Sequence, residues 1–181
     1  MDPSRLVVTV AGPHGSGRTT QAKMIAEAFG LRYVSAGTIF RERASELGLS
    51  LEEMSRVASG DCDFDNYLDR RTREESARGG VVIDATLSGW MSEEAHLRIF
   101  LTCPLAERVR RIAEREGRSV SEVDEETRFR EANESRRFRD FYGVDVGDLS
   151  IYDLVLNTGL YDAEATARIL KNVVSEYLCS R

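Results

Sequence analysis

The sequence predicts an α/β fold: one parallel sheet of about five strands with helices on both faces. Three observations carry this. Five short apolar or β-branched runs alternate with stretches of helical periodicity, the order produced by strands joined through helical crossovers. Two of those runs, Leu6-Val-Val-Thr-Val-Ala11 and Val81-Val-Ile-Asp84, are nearly continuous, as in strands buried on both faces. A glycine-rich stretch follows the first run and opens directly into a helical pattern.

Taken in order, the elements have local reasons. Thr19–Phe29 carries Ala22, Ile25, Ala26 and Phe29 on one stripe, and Gly30 stands where a helix cap belongs. Arg32-Tyr-Val34 reads as a short second strand. Thr38–Gly48 and Leu51–Arg78 read as helices, the second interrupted around Gly60. After the strand Val81–Asp84 comes another, His96–Thr102. Pro104 then opens a helix to about Glu116, its missing N–H costing nothing in a first turn. Ser121–Tyr142 is a strongly charged helix stopped by Gly143. Leu154-Val-Leu156 is the last strand, and Ala163–Leu178 a closing amphipathic helix.

With 181 residues and no linker, repeat or low-complexity tract, residues 1–181 are expected to form a single domain. The charge is −6, from 25 basic and 31 acidic residues, which disfavours nucleic acid as a partner. Lys23 and Lys171 are the only lysines, so 23 of the basic residues are arginines. Cys62, Cys103 and Cys179 are too scattered for a disulfide framework or metal site. No stretch is long and apolar enough for a membrane partner. Polar Met1–Arg5 runs straight into a strand, so no signal peptide and a cytoplasmic location are expected. The sequence leaves the oligomeric state open, a monomer being the simpler expectation.

Gly12-Pro-His-Gly-Ser-Gly-Arg-Thr19 fits the phosphate-loop spacing G-x-x-x-x-G-K-[ST], with Arg18 where lysine is expected. Glycines let backbone N–H groups converge on a phosphate, and the following helix adds the positive end of its dipole. The predicted nucleotide contacts are Gly12, Pro13, His14, Gly15, Ser16, Gly17, Arg18, Thr19 and Thr20. Arg18 would touch the β- and γ-phosphates of ATP, and Thr19 would offer its hydroxyl to Mg²⁺. His14 could stack on a base or face solvent, and solvent is the favoured expectation. Asp84 ends a buried strand where an acid could order Mg²⁺ or meet the acceptor.

Beyond the loop, the chain carries Ser35-Ala-Gly-Thr-Ile-Phe-Arg41, Leu68-Asp-Arg-Arg71, Leu87-Ser-Gly-Trp90, Ala113-Glu-Arg-Glu-Gly117 and Asp148-Leu-Ser-Ile-Tyr-Asp-Leu154. In this order and spacing they resemble the nucleoside monophosphate kinases, specifically the archaeal type of cytidylate kinase, over nearly the whole chain. The resemblance implies a P-loop, adenylate-kinase-like fold with an acceptor-binding segment at about 35–78 and a lid at about 115–130. It implies transfer of phosphoryl from ATP, with Mg²⁺, to CMP or dCMP, the partners being small nucleotides.

The resemblance also assigns residues. Ser35 and Gly37 form a turn after which Arg41 holds the acceptor phosphate, the lesser alternative for Arg41 being a solvated helix arginine paired with Glu42 or Glu46. Arg130, Glu134 and Arg137 share one helical face, with the arginines approaching phosphates and the acid contacting the acceptor. Arg128, Arg136 and Arg139 read better as surface pairs. Arg115, with Arg118, is a candidate lid cation. Asp69, with Asp65, either reaches the acceptor base or ribose or solvates its helix. Trp90 reads as packing or hinge material. The chain departs from the pattern at Ala85-Thr86, where an arginine normally contacts the acceptor phosphate. Arg70 or Arg71 could substitute. The two departures, Arg18 and Thr86, leave two other readings open: a nucleotide-binding regulatory module, or a kinase of another acceptor such as AMP.

Overall fold

The computed structural model describes residues 2–50, 53–54 and 62–181. Its five strands are β1 (Val7–Ala11), β2 (Arg32–Ser35), β3 (Val81–Asp84), β4 (Leu97–Thr102) and β5 (Leu154–Asn157). They form one parallel sheet in the order β2-β3-β1-β4-β5. β1 is central, with Val8 opposite both Val82 and Leu97. The helices are α1 (Arg18–Phe29), α2 (Ala36–Glu46), α3 (Cys62–Arg78), α4 (Ser88–Met91), α5 (Leu105–Glu116), α6 (Val120–Tyr142) and α7 (Ala163–Cys179). Gly60 and the rest of 55–61, where an interruption is expected, lie outside the described residues.

All five residues of β1 are buried because both faces are covered. Leu6, Val8 and Val10 point to one side, against Ala22 and Ile25 of α1 and Leu170 and Val174 of α7. Val7 points to the other, with Val81 and Ile83. The continuous apolar run therefore serves two cores at once.

Several element ends depart from the sequence expectation for local reasons. His96 is not in β4; its Nδ1 accepts the Val7 N–H at 3.1 Å and closes the start of β1. Pro104 stands just before α5 rather than in its first turn. Ser35 and Ser119 start α2 and α6 through reciprocal capping boxes with Thr38 and Glu122. Trp90 packs edge-on against Tyr152, with ring centroids 5.6 Å apart. Among the described residues no helix is long and apolar enough to cross a membrane.

The strand order fixes where a ligand can sit. From β1 the chain crosses over β3 to reach β2, and from β3 it crosses over β1 to reach β4. The direction reverses between the carboxyl ends of β1 and β3. That is the crevice where open parallel sheets bind ligands.

Candidate active site

The loop after β1 lies at this crevice, and its glycines are required by what surrounds them. Gly12 has φ +144°, and a Cβ there would sit 2.2 Å from the Leu101 carbonyl oxygen. At Gly15 a Cβ would sit 2.7 Å from the Arg108 carbonyl oxygen. The loop is thus pressed against β4 and α5. The Thr158 hydroxyl holds it from beneath, donating to the Ser16 carbonyl at 2.9 Å. Gly17 precedes α1 in a left-handed conformation with no side-chain cap, which leaves the first-turn N–H groups for an anion.

Over this helix start lies a cavity of about 170 Å³ walled by Pro13, Gly15, Thr19 and Thr20, with Arg115, Arg118 and Arg130 on the far side. Arg115 and Arg118 are held at its rim by Glu116 and Glu126, each at 2.6 Å. Arg130 is 3.8 Å from Glu126.

Asp84, at the carboxyl end of β3, is buried at the centre of the crevice. Its Oδ2 accepts from the Thr19 hydroxyl at 2.7 Å and the Tyr33 phenol at 3.0 Å. Burial, with the Asp84 charge, pushes the Tyr33 pKa above the ordinary phenol value, so it stays a donor. Asp84 Oδ1 lies 3.1 Å from Arg18 Nε as an ion pair, yet receives no aligned hydrogen bond. A buried carboxylate that keeps one oxygen free of any aligned hydrogen bond, beside a threonine hydroxyl, suits a hard divalent cation that takes its remaining ligands from phosphate and water. Among the described residues no cluster of three acids, histidines or cysteines offers an all-protein metal cage.

Arg18 spans from the loop to the turn after β3. Its Nη1 donates to the Gly12 carbonyl at 2.7 Å and to the Thr86 hydroxyl at 2.9 Å. The two positions singled out as departures in the sequence are in direct contact.

A second cavity, of about 200 Å³, opens on the other side of Arg18, between α3, the turn after β3 and α6. Asp69, Thr72, Thr86, Met91, Glu134 and Arg137 are among its walls. The shared face of α6 is thereby divided: Arg130 borders the loop-side cavity and Arg137 the second one, with Glu134 between them.

His14 does not face solvent, contrary to expectation. Its Nε2 lies 3.1 Å from both carboxylate oxygens of Glu134, because α6 runs directly over the loop. Burial alone would raise the Glu134 pKa. The His14 hydrogen bond and charge, with Arg130 and Arg18, outweigh it and hold the carboxyl below its ordinary value. One turn earlier, Glu131 accepts the His14 backbone N–H at 3.2 Å and pairs with buried Arg108. Tyr33, Arg108 and Glu131 belong to the site, but no sequence motif marks them. Each reaches it only through the strand order or the packing of α6.

Other expected residues lie elsewhere. Ser35 spends its hydroxyl capping α2, accepting the Thr38 N–H at 3.1 Å, and Gly37 is exposed. Arg41 is exposed midway along α2, paired with neither Glu42 nor Glu46 and outside both cavity walls. Arg70 and Arg71 pair with Glu74, and Arg71 also with Glu42 and Glu75, so neither replaces a cation at the second cavity. Arg128, Arg136 and Arg139 make surface contacts with Asp124, Asn133 and Asp145. The side chain of Asp65 lies outside the described residues.

A glycine loop at the switch point of a parallel sheet, an uncapped helix start and the Thr19–Asp84–Arg18 cluster together define a nucleotide-binding fold of the P-loop kinase class. The shikimate kinase from Acinetobacter baumannii, in complex with shikimate, shares this fold with a TM-score of 0.64 at 15% identity, covering 96% of both chains. A sequence model of the cytidylate kinase-like family matches residues 7–160. A cytidylate kinase of Staphylothermus marinus is 45% identical over 174 residues, covering 96% of this chain and 98% of its own. One from Pyrococcus horikoshii is 44% identical over 174 residues, covering 96% and 91%. The chain belongs to the cytidylate kinase-like family.

Proposed function

We propose that this protein transfers a phosphoryl group from ATP to a pyrimidine nucleoside monophosphate, CMP or dCMP, giving ADP and CDP or dCDP. The observation that carries the reading is the pair of cavities meeting at Arg18, one over the loop and α1 start, the other walled by α3 and α6. The similarity to proteins named cytidylate kinase supports the acceptor. Neither competing expectation gains from the two departures, since Arg18 and Thr86 form one bonded unit between two open cavities.

The chemistry requires two polyanions to be brought in line. An oxygen of the acceptor phosphate forms a bond to the γ-phosphorus of ATP as the bond to the β–γ bridging oxygen breaks, and ADP leaves. Little covalent work falls to the protein; it supplies position and positive charge. The loop from Gly12 to Thr20 and the first turn of α1 hold the donor phosphates. Arg130 faces these, and Arg137 faces the acceptor, with Glu134 between. Thr19 and Asp84 would hold Mg²⁺, which when bound neutralises charge on the β- and γ-oxygens. The segment at about 35–78 contributes Asp69 to the acceptor side. Ser35 and Gly37 at the α2 start, and Arg41 midway along it, would reach the acceptor only by movement of this segment. Residues of about 115–130, with Arg115 and Arg118, act as a lid that excludes water from the transfer.

Incubation with ATP, Mg²⁺ and CMP, followed by chromatographic separation of the nucleotides, tests this reading. CDP and ADP in equal amounts are expected. ADP without CDP would contradict it.

A further inference from the structure

We propose that Arg18 is the acceptor-side cation of this protein, aimed there by Thr86, instead of a group devoted to the donor phosphates. The inference rests on the proposed function and goes beyond it by assigning one guanidinium to one of the two ligands.

Position is the first argument. Among the arginines bordering the two cavities, Arg115, Arg118 and Arg130 border the loop side and Arg137 the second cavity; Arg18 borders both. It therefore lies where donor and acceptor phosphates would meet.

Geometry is the second. The guanidinium is fixed by three oxygens at the ends of β1 and β3: Gly12 O at 2.7 Å, Thr86 Oγ1 at 2.9 Å and Asp84 Oδ1 at 3.1 Å. Gly12 O and Thr86 Oγ1 share Nη1, and Asp84 faces Nε. The remaining amino group, Nη2, donates to none of the described residues, although the side chain is only 17% exposed. A guanidinium has five N–H donors and no acceptor, so a mostly buried one with an unused edge is suited to an anion in the adjoining cavity.

Thr86 adds a second donor beside the guanidinium. Its hydroxyl accepts from Arg18 through a lone pair and keeps its own proton to donate. Thr86 is itself a wall of the second cavity. Thr86 and Arg18 thus present an O–H and an N–H edge side by side toward an acceptor phosphate. A lysine at position 18 could not do this, because an ammonium is a point charge without a planar fork. The two positions are therefore coupled: a fork is needed from one of them.

Calorimetric titration with CMP and, separately, with a non-hydrolysable ATP analogue tests the assignment, with thermal unfolding to verify that each variant folds. Arg18→Lys is expected to weaken CMP by about tenfold or more and the analogue by less than about threefold. Thr86→Val, which keeps the shape and removes the hydroxyl, should weaken CMP by about threefold to fivefold and leave the analogue unchanged. The double exchange Arg18→Lys/Thr86→Arg returns a fork to the cavity wall and should recover CMP affinity to within about threefold of the starting protein. If Arg18→Lys weakens the analogue and spares CMP, or if the double exchange binds CMP no better than Arg18→Lys, the assignment is overturned. A starting protein that binds the analogue but no CMP would instead overturn the proposed function.

Discussion

His14 of the loop and Glu134 of α6 meet across 120 residues of chain, with the imidazole Nε2 at 3.1 Å from each carboxylate oxygen. The neighbouring Glu131 ties the same two elements together, through the His14 backbone and buried Arg108. These two acids, one helical turn apart, fix α6 over the loop. They also set which cavity Arg130 and Arg137 border.

The His14–Glu134 contact predicts a pH response. The Glu134 carboxyl is held below its ordinary value in the folded protein, so the fold favours its ionised form. Its contribution to stability is present above the unfolded-chain pKa, about 4.3, and is lost as pH falls through the lower folded value. Removing the partner in His14→Ala should move the Glu134 titration, followed by carboxyl NMR, to higher pH. An unmoved titration would show that the imidazole contributes nothing to that carboxyl.

The division of α6 predicts a split in kinetics. Arg130→Ala should raise KM for ATP by about tenfold with little change in KM for CMP, and Arg137→Ala the reverse, the scale of one lost charge-assisted hydrogen bond. Steady-state rates with each substrate varied in turn check this. Equal effects on both constants in either variant would contradict the division.

The loop glycines predict a graded loss of stability. Gly12→Ala drives a Cβ into the Leu101 carbonyl and holds alanine at a positive φ, whereas Gly17→Ala meets nothing within 4 Å and suffers only the strained φ. Strain alone costs about 1–3 kcal/mol, so Gly12→Ala should lower Tm clearly further than Gly17→Ala. Thermal unfolding of the two variants without nucleotide makes the comparison.

The Asp84 carboxylate, bonded to the Thr19 hydroxyl through one oxygen and receiving no aligned hydrogen bond on the other, predicts a metal response. Asp84→Asn keeps the shape and removes the charge, and should raise the Mg²⁺ concentration giving half-maximal rate by about tenfold or more. A metal titration of the rate checks it, and an unchanged midpoint would place Mg²⁺ elsewhere.

Some of this architecture is legible in the sequence because it is local. The Gly12–Thr19 spacing, the helix that opens directly out of it and the common face of Arg130, Glu134 and Arg137 each depend on residues within a few turns of one another. The Arg18–Thr86 bond is not local. It spans 68 residues and exists because β3 inserts between β1 and β2, an order that strand patterns do not encode. Arg41 illustrates the opposite case: its motif is evident, yet the helix carries it to the exposed side of α2. His14 looked free because nothing in its own loop foretells that α6 crosses above it.

Phosphoryl transfer to a pyrimidine monophosphate is read out by the initial rate of ADP release at saturating ATP and Mg²⁺ with CMP, dCMP, UMP or AMP. CMP and dCMP should raise the rate far above that without acceptor, and well above that with AMP. A rate that no monophosphate raises, even at high protein concentration, would rule out this protein as a nucleoside monophosphate kinase.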